Sequence, residues 1–157
     1  MKVSDIVSGR MLSSSIGSVQ DEEYEAIASS GDFVFDWRLE RYSEVYKLTL
    51  NEGSKSLLGL VSLEEYNNQQ RLNINLLEVA KANRGRHKMI GGVAGCLIAY
   101  TAALAFERGY GGLVTLEPKS ALIQHYEKTY GFVEAGHLMY LPTLQAHELI
   151  QKYLEHE

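Results

Sequence analysis

The sequence predicts a mixed α/β (α+β) fold, in which a mostly antiparallel central sheet carries helices on both faces and includes one strand–helix–strand unit. Three observations predict it. Between residues 42 and 80, strand-length apolar segments alternate with polar turns. From Gly92 to Arg108 the apolar spacing changes to that of a helix. A short buried segment follows at 113–116, and a right-handed crossover sets it parallel to the strand at 72–80.

Taken in order, Asp21, Glu22 and Glu23 form an acidic first turn ahead of apolar Ala26 and Ile27, which predicts a short helix over 21–29 closed by Gly31. Phe33, Phe35 and Trp37 alternate with smaller or polar residues and predict a half-buried strand or extended edge. Segments 42–50, 57–64 and 72–80, separated by turn residues at 51–54 and 66–70, predict an antiparallel meander. In the helix after Gly92, Val93, Leu97, Tyr100 and Leu104 share a face, Cys96 and Ala103 lie beside them, and alanines fill much of the rest. Such a helix is buried on more than one side. Gly109 and Gly111 end it.

Pro118 and Ser120 open a second helix, with Ser120 as its N-cap, Leu122, Ile123, Tyr126 and Tyr130 on one face, and Gly131 at its end. A strand at 132–141, broken near Gly136, precedes a last helix. Thr143 caps that helix, and Ala146, Leu149, Ile150, Tyr153 and Leu154 form its apolar stripe.

The 157 residues and 45% hydrophobic content are those of one domain, 1–157, with a core that needs no staples. A single cysteine, Cys96, leaves no intramolecular disulfide and fits a reducing, cytoplasmic setting. Residues 1–19, broken by Ser and Gly, lack the apolar core of a signal peptide, and the longest apolar stretch, 93–106, is too short to span a bilayer. A soluble protein without a membrane partner is expected. The net charge of −5, with no long run of Lys and Arg, argues against nucleic acid as the principal partner. Exposed strand edges leave a homodimer open. One basic cluster stands out: Lys81, Arg84, Arg86, His87 and Lys88 suit a compact anion such as a phosphorylated cofactor, or form a solvated loop.

Beside that cluster, Gly91-Gly92-Val93-Ala94-Gly95 opens the long helix. A glycine-rich turn into a helix leaves backbone N–H groups unpaired at the positive end of the helix dipole, which makes an anion site. Small residues at a helix start also serve close packing. No Gly-Lys-Ser/Thr follows, so this is not a P-loop. The five histidines, His87, His125, His137, His147 and His156, show no metal-ligand spacing, and no metal is expected.

Two motifs together resemble the GNAT superfamily of N-acyltransferases. Met89-Ile90-Gly91-Gly92-Val93-Ala94 is similar to its acyl-CoA motif, Gln/Arg-x-x-Gly-x-Gly/Ala, with Met89 where Gln or Arg is usual. Ala121-Leu122-Ile123-Gln124-His125-Tyr126-Glu127-Lys128-Thr129-Tyr130-Gly131-Phe132 is similar to its A-x-x-x-Y-x-x-x-G-F pattern downstream. The resemblance covers roughly residues 42–141.

It implies a GNAT-like fold with a strand–helix–strand acyl-CoA-binding unit, and transfer of an acetyl (acyl) group from acetyl-CoA to a small-molecule or peptide amine. The cofactor would be held along Val79, Arg84, Arg86, His87, Lys88, Met89, Ile90, Gly91, Gly92, Val93, Ala94 and Gly95, with the nearby cations supplying the charge that Met89 lacks. Tyr126 takes the place of the tyrosine that approaches the CoA sulfur and would protonate the leaving thiolate. An amine of pKa ~10.4 costs about 4.6 kcal/mol to deprotonate at neutral pH. Glu78, at the end of its strand, is the preferred base, and Glu117, at the end of the neighbouring strand, is its rival. A backbone N–H near Val79 would hold the thioester oxygen. Cys96 reads as packing, and His137 as a surface or acceptor-pocket residue. A catalytically inactive acyl-CoA-binding or protein-interaction module, and an anion-binding structural domain, are the alternatives.

Overall fold

The computed structural model describes residues 1–155, so His156 lies outside the described residues. Nine strands form one sheet: β1 (Lys2–Asp5), β2 (Met11–Ser18), β3 (Glu44–Leu50), β4 (Leu57–Tyr66), β5 (Arg71–Val79), β6 (Ile90–Gly91), β7 (Val114–Leu116), β8 (Val133–Ala135) and β9 (Leu138–Tyr140). Their spatial order is β6-β1-β2-β3-β4-β5-β7-β9-β8. Every pairing is antiparallel except that of β5 with β7. The helices are α1 (Tyr24–Ser29), α2 (Val93–Glu107), α3 (Ile123–His125) and α4 (Thr143–Tyr153). No described helix is long and apolar enough to cross a membrane.

The sheet has two apolar faces. On one, α2 packs over Leu48, Val61, Leu63, Leu72 and Ile74, and α4 packs on α2. On the other, Tyr24 and Ile27 of α1 pack with Trp37, Val45 and Leu60. Burying each such aliphatic side chain contributes roughly 1.5–3 kcal/mol. The α2 helix lies between the sheet and α4, which is why it is apolar nearly all round.

Several expectations need correction. Residues 33–37 form no strand, because the N–H groups of Val34 and Phe35 go to the Glu78 carboxylate instead of a neighbouring strand. Asp36 then accepts from the Arg38 N–H and starts a 3-10 turn at Trp37–Glu40. Ser120 is not an N-cap; Lys119 holds that position, and a 3-10 turn at Ser120–Leu122 leads into α3 and a π-turn at Tyr126–Tyr130. Thr143 is the first helical residue rather than the cap, and its hydroxyl donates to the Gly111 carbonyl. Strands β1 and β2 carry no clear apolar alternation in the sequence, since inward Ser14 of β2 is buried through a hydrogen bond to the Met1 carbonyl.

One irregularity positions the site. In the β4–β5 ladder Leu76 faces Ser62 while Ile74 faces Leu63, so Asn75 is an extra, bulged residue. Before it, Leu72 and Ile74 point to the α2 face; after it, Leu77 and Val79 do, and Leu76 and Glu78 point to the Trp37 face. The N–H groups switch as well. Leu72 donates toward β7, to Leu113, but Ala80 donates toward β4, to Leu58. By alternation the Leu77 and Val79 N–H groups turn to the β7 side, beyond Leu116 where β7 has ended.

Candidate active site

At the start of α2, Gly92 holds φ +87°, a left-handed conformation that glycine adopts without strain. No side chain caps the helix, and its first intrahelical bond runs from the Cys96 N–H to the Gly92 carbonyl at 3.0 Å. The N–H groups of Val93, Ala94 and Gly95 therefore have no intrahelical partner. A cleft of about 360 Å³ opens there. One side is Val79, Asn83, Arg84, Gly85, Lys88 and Ile90 with the turn Gly91, Gly92, Val93 and Ala94; the other is His125, Thr129, Tyr130 and Tyr153. Unpaired N–H donors, a helix dipole and nearby cations equip this cradle for an anion.

Most of the residues expected here are brought together, but Arg86, His87, Met89 and Gly95 are not among its walls. Met89 is 56% exposed, and its backbone is spent on Ala82 and Ile6. Arg86 and His87 are exposed on the loop. Gly95 serves packing: a Cβ there would stand 2.2 Å from the Tyr153 ring, so glycine lets α4 close on α2. Tyr130 and Tyr153 were legible only as apolar helix stripes, and nothing in the spacing marks them as cradle walls.

A second cleft, of about 220 Å³, fills the wedge where β5 and β7 part. Ile74, Asn75, Leu76 and Leu77 form one wall, Leu116, Glu117, Pro118 and Lys119 the other, and Phe35, Leu122 and Tyr126 close it. Tyr126 packs edge-on against Phe132 at 5.7 Å, and its hydroxyl has no hydrogen-bond partner among the described residues. Burial raises its pKa, so the phenol stays protonated at neutral pH and is able to donate. Its helical neighbours His125 and Tyr130 line the cradle, so this one segment walls both clefts.

The two strand-end carboxylates are not alike. Glu78 is buried and accepts from the N–H groups of Val34 at 2.6 Å and Phe35 at 3.3 Å, from Trp37 Nε1 at 2.9 Å and from the Arg84 guanidinium at 3.3 Å. It lies on the Trp37 face and lines neither cleft. This geometry does not favour the base role expected of it, because four donors engage its carboxylate and hold it on the Trp37 face. Glu117 lines the wedge, its side chain is 68% exposed, and its one ion-pair partner among the described residues is His137, at 3.7 Å. Cys96 is buried with its thiol toward the Lys2 carbonyl, and burial pushes its pKa up to about 12, far from a thiolate nucleophile.

No protein-family model matches the sequence, and no curated protein matches it. Solved structures do share its fold. Nourseothricin acetyltransferase superposes with a TM-score of 0.58 at 19% identity, covering 83% of this chain and 98% of that one. A mutant form of the spermidine/spermine N-acetyltransferase SpeG from Vibrio cholerae gives 0.59 at 16% identity, covering 87% and 98%. AtaTR, solved with AcCoA bound, gives 0.56 at 15% identity, covering 87% and 98%. At these identities the likeness is one of fold.

Proposed function

We propose that this chain, which has the GNAT-like N-acetyltransferase fold, transfers an acetyl (acyl) group from acetyl-CoA to an amine by direct attack. The observation that carries the reading is the meeting of two clefts along one splayed strand pair, an anion cradle at the α2 N-terminus and a wedge holding a free tyrosine hydroxyl. The cradle, with Lys88 and Arg84, would hold the CoA pyrophosphate. The thioester would lie in the wedge with its oxygen toward the Leu77 and Val79 N–H groups, which form an oxyanion site without reorganisation. The amine nitrogen attacks the thioester carbon, the C–S bond breaks, and Tyr126 gives its proton to the leaving thiolate. Glu117, directly or through water, takes the proton that the amine loses. No covalent enzyme intermediate is required.

The first test is thermal stabilisation across CoA, acetyl-CoA, ATP and NAD, since a ligand at 100 times its dissociation constant adds about 2.7 kcal/mol. Acetyl-CoA should stabilise clearly more than ATP or NAD, and equal shifts would sink the reading. The second is acceptor-dependent thiol release in an amine screen. Spermidine and spermine belong in that screen because SpeG, which shares the fold, acts on them. One observation favours a second reading, an inactive acyl-CoA-binding module: the buried carboxylate beside the cofactor loop is fully engaged, leaving only an exposed one in the wedge. Acetyl-CoA binding with no acceptor-dependent thiol release would select it.

A further inference from the structure

Glu78 touches two segments that serve different clefts. Its Oε2 accepts from the Val34 N–H and from Arg84, while its Oε1 accepts from the Phe35 N–H and from Trp37 Nε1. Arg84 is a wall of the cradle, and Phe35 is a wall of the wedge. Across the wedge from Phe35 stands Lys119, whose ammonium lies 6.0 Å from the centre of the Phe35 ring. The segment carrying Phe35 belongs to no strand; beside the packing of Trp37 on Val45 and Leu60, the three donors it gives to Glu78 are its hydrogen-bonded link to the sheet at this point.

We infer that Glu78 is a positioning residue that couples the cofactor cradle to the acceptor end of the wedge, holding Phe35 in place more firmly once the cradle is filled. The inference rests on the reading that the cradle takes acetyl-CoA. At 3.3 Å the Arg84 contact is, with that of Phe35, the longest of the four, and its guanidinium is more than a third exposed, so it is free to turn to a competing anion. A diphosphate at the α2 N-terminus offers Arg84 shorter, paired charge-assisted bonds. Once Arg84 leaves, the carboxylate charge falls entirely on the Val34, Phe35 and Trp37 donors. The Phe35 bond, the long one of these at 3.3 Å, shortens, and the Phe35 wall is fixed. An acceptor amine packed against that wall then binds better to the loaded protein than to the empty one, and linkage requires the reverse as well.

Trp37 is the single tryptophan of the chain and is fully buried, away from both clefts, so its emission reports on the Glu78 junction without touching the ligand. The experiment pairs calorimetric titration of acetyl-CoA with selectively excited Trp37 emission, in the wild type and in Arg84→Gln. The wild type should bind and shift its emission; Arg84→Gln should bind several-fold more weakly and show no shift at saturation. In parallel, Glu78→Gln should raise the acceptor KM by ~5- to 10-fold while leaving kcat within about 2-fold, a split that general loss of structure does not produce. If Glu78→Gln does not fold, the Arg84→Gln emission decides alone. Calorimetric binding with unmoved wild-type emission, or a full shift in Arg84→Gln, overturns the coupling and leaves acetyl-CoA binding standing. Absence of calorimetric binding overturns the proposed function itself, and the coupling with it.

Discussion

The ends of β5 and β7 form an instructive pair. The two strands are parallel neighbours, each finishes near a glutamate, and the chain leaves both in the same direction. Yet the Glu78 side chain is 3% exposed with four donors on its carboxylate, and the Glu117 side chain is 68% exposed with one histidine at 3.7 Å. The difference originates three residues upstream. The bulge at Asn75 shifts the alternation of β5, so Glu78 faces the Trp37 side while the Leu77 and Val79 N–H groups face the wedge. Strand β7 ends before any such shift, and Glu117 remains at the cleft. A carboxylate's place along a strand therefore says little about its chemistry until the side of the sheet it faces is known.

The largest expected effect tests the buried partner. Glu78→Ala leaves the buried Trp37 indole N–H without its acceptor and removes the anchor of Val34 and Phe35, and should cost about 3 kcal/mol of stability. Glu117→Ala should stay within about 0.5 kcal/mol. Urea denaturation of the two variants measures both, and equal losses would break the comparison. Close behind in size is Tyr126→Phe, which keeps the ring and its packing on Phe132 but removes the proton. Turnover should fall by ~10²-fold with acetyl-CoA affinity and stability nearly unchanged. Normal turnover in this variant would remove Tyr126 from the reaction and leave the wedge as a binding cleft only.

Much of this arrangement was legible in the sequence. The meander, the long apolar helix, the parallel return of β7 and the hairpin break at Gly136 all follow from periodicity and turn residues, because each is a local pattern. Gly92 and Tyr126 were named from motifs whose order along the chain the fold preserves. The bulge was not legible: Asn73, Ile74, Asn75 and Leu76 alternate as a regular strand would, and the extra residue exists only relative to β4. Glu78 was expected as a base from its place at the strand end alone, and the hidden shift decides which face it occupies. Likewise, alternating Phe33, Phe35 and Trp37 suggested a strand, since the partner that claims their N–H groups is a carboxylate more than 40 residues away. Gly95 needed the opposite helix in view before it could be told from a phosphate-binding glycine.

The exposed partner carries a smaller prediction. Glu117→Gln removes the wedge carboxylate without a large change in shape, and water is able to replace it in part, so the loss should be ~10-fold near neutral pH. The deficit should shrink as pH rises toward the amine's pKa of ~10.4, where free amine no longer has to be generated. Rate profiles of both proteins across that range check it. A constant deficit at all pH values would mean that Glu117 binds the acceptor rather than deprotonating it.

The smallest effect concerns a carboxylate of intermediate burial. Glu44 accepts from Arg108 Nη1 at 2.9 Å and Nη2 at 2.7 Å, and from the Tyr46 hydroxyl at 3.0 Å. The Arg108 hydrogen bonds hold its pKa below the ordinary 4.5, against the opposing effect of burial and with help from Tyr46. A carboxyl whose pKa is depressed by folding contributes stability that is fully present above 4.5 and is lost as pH falls through the folded value. Arg108→Met keeps part of the apolar stem and removes the charge. Because the paired side chains are 24% and 37% exposed, and so partly screened by solvent, the loss at neutral pH should be only about 0.5–1 kcal/mol. In strong acid, with Glu44 protonated in both proteins, the difference should nearly vanish. Urea midpoints at the two pH values decide the matter. An undiminished difference in acid would assign the effect to Arg108 packing, and would leave exposure rather than ion pairing as what separates Glu44 from Glu78.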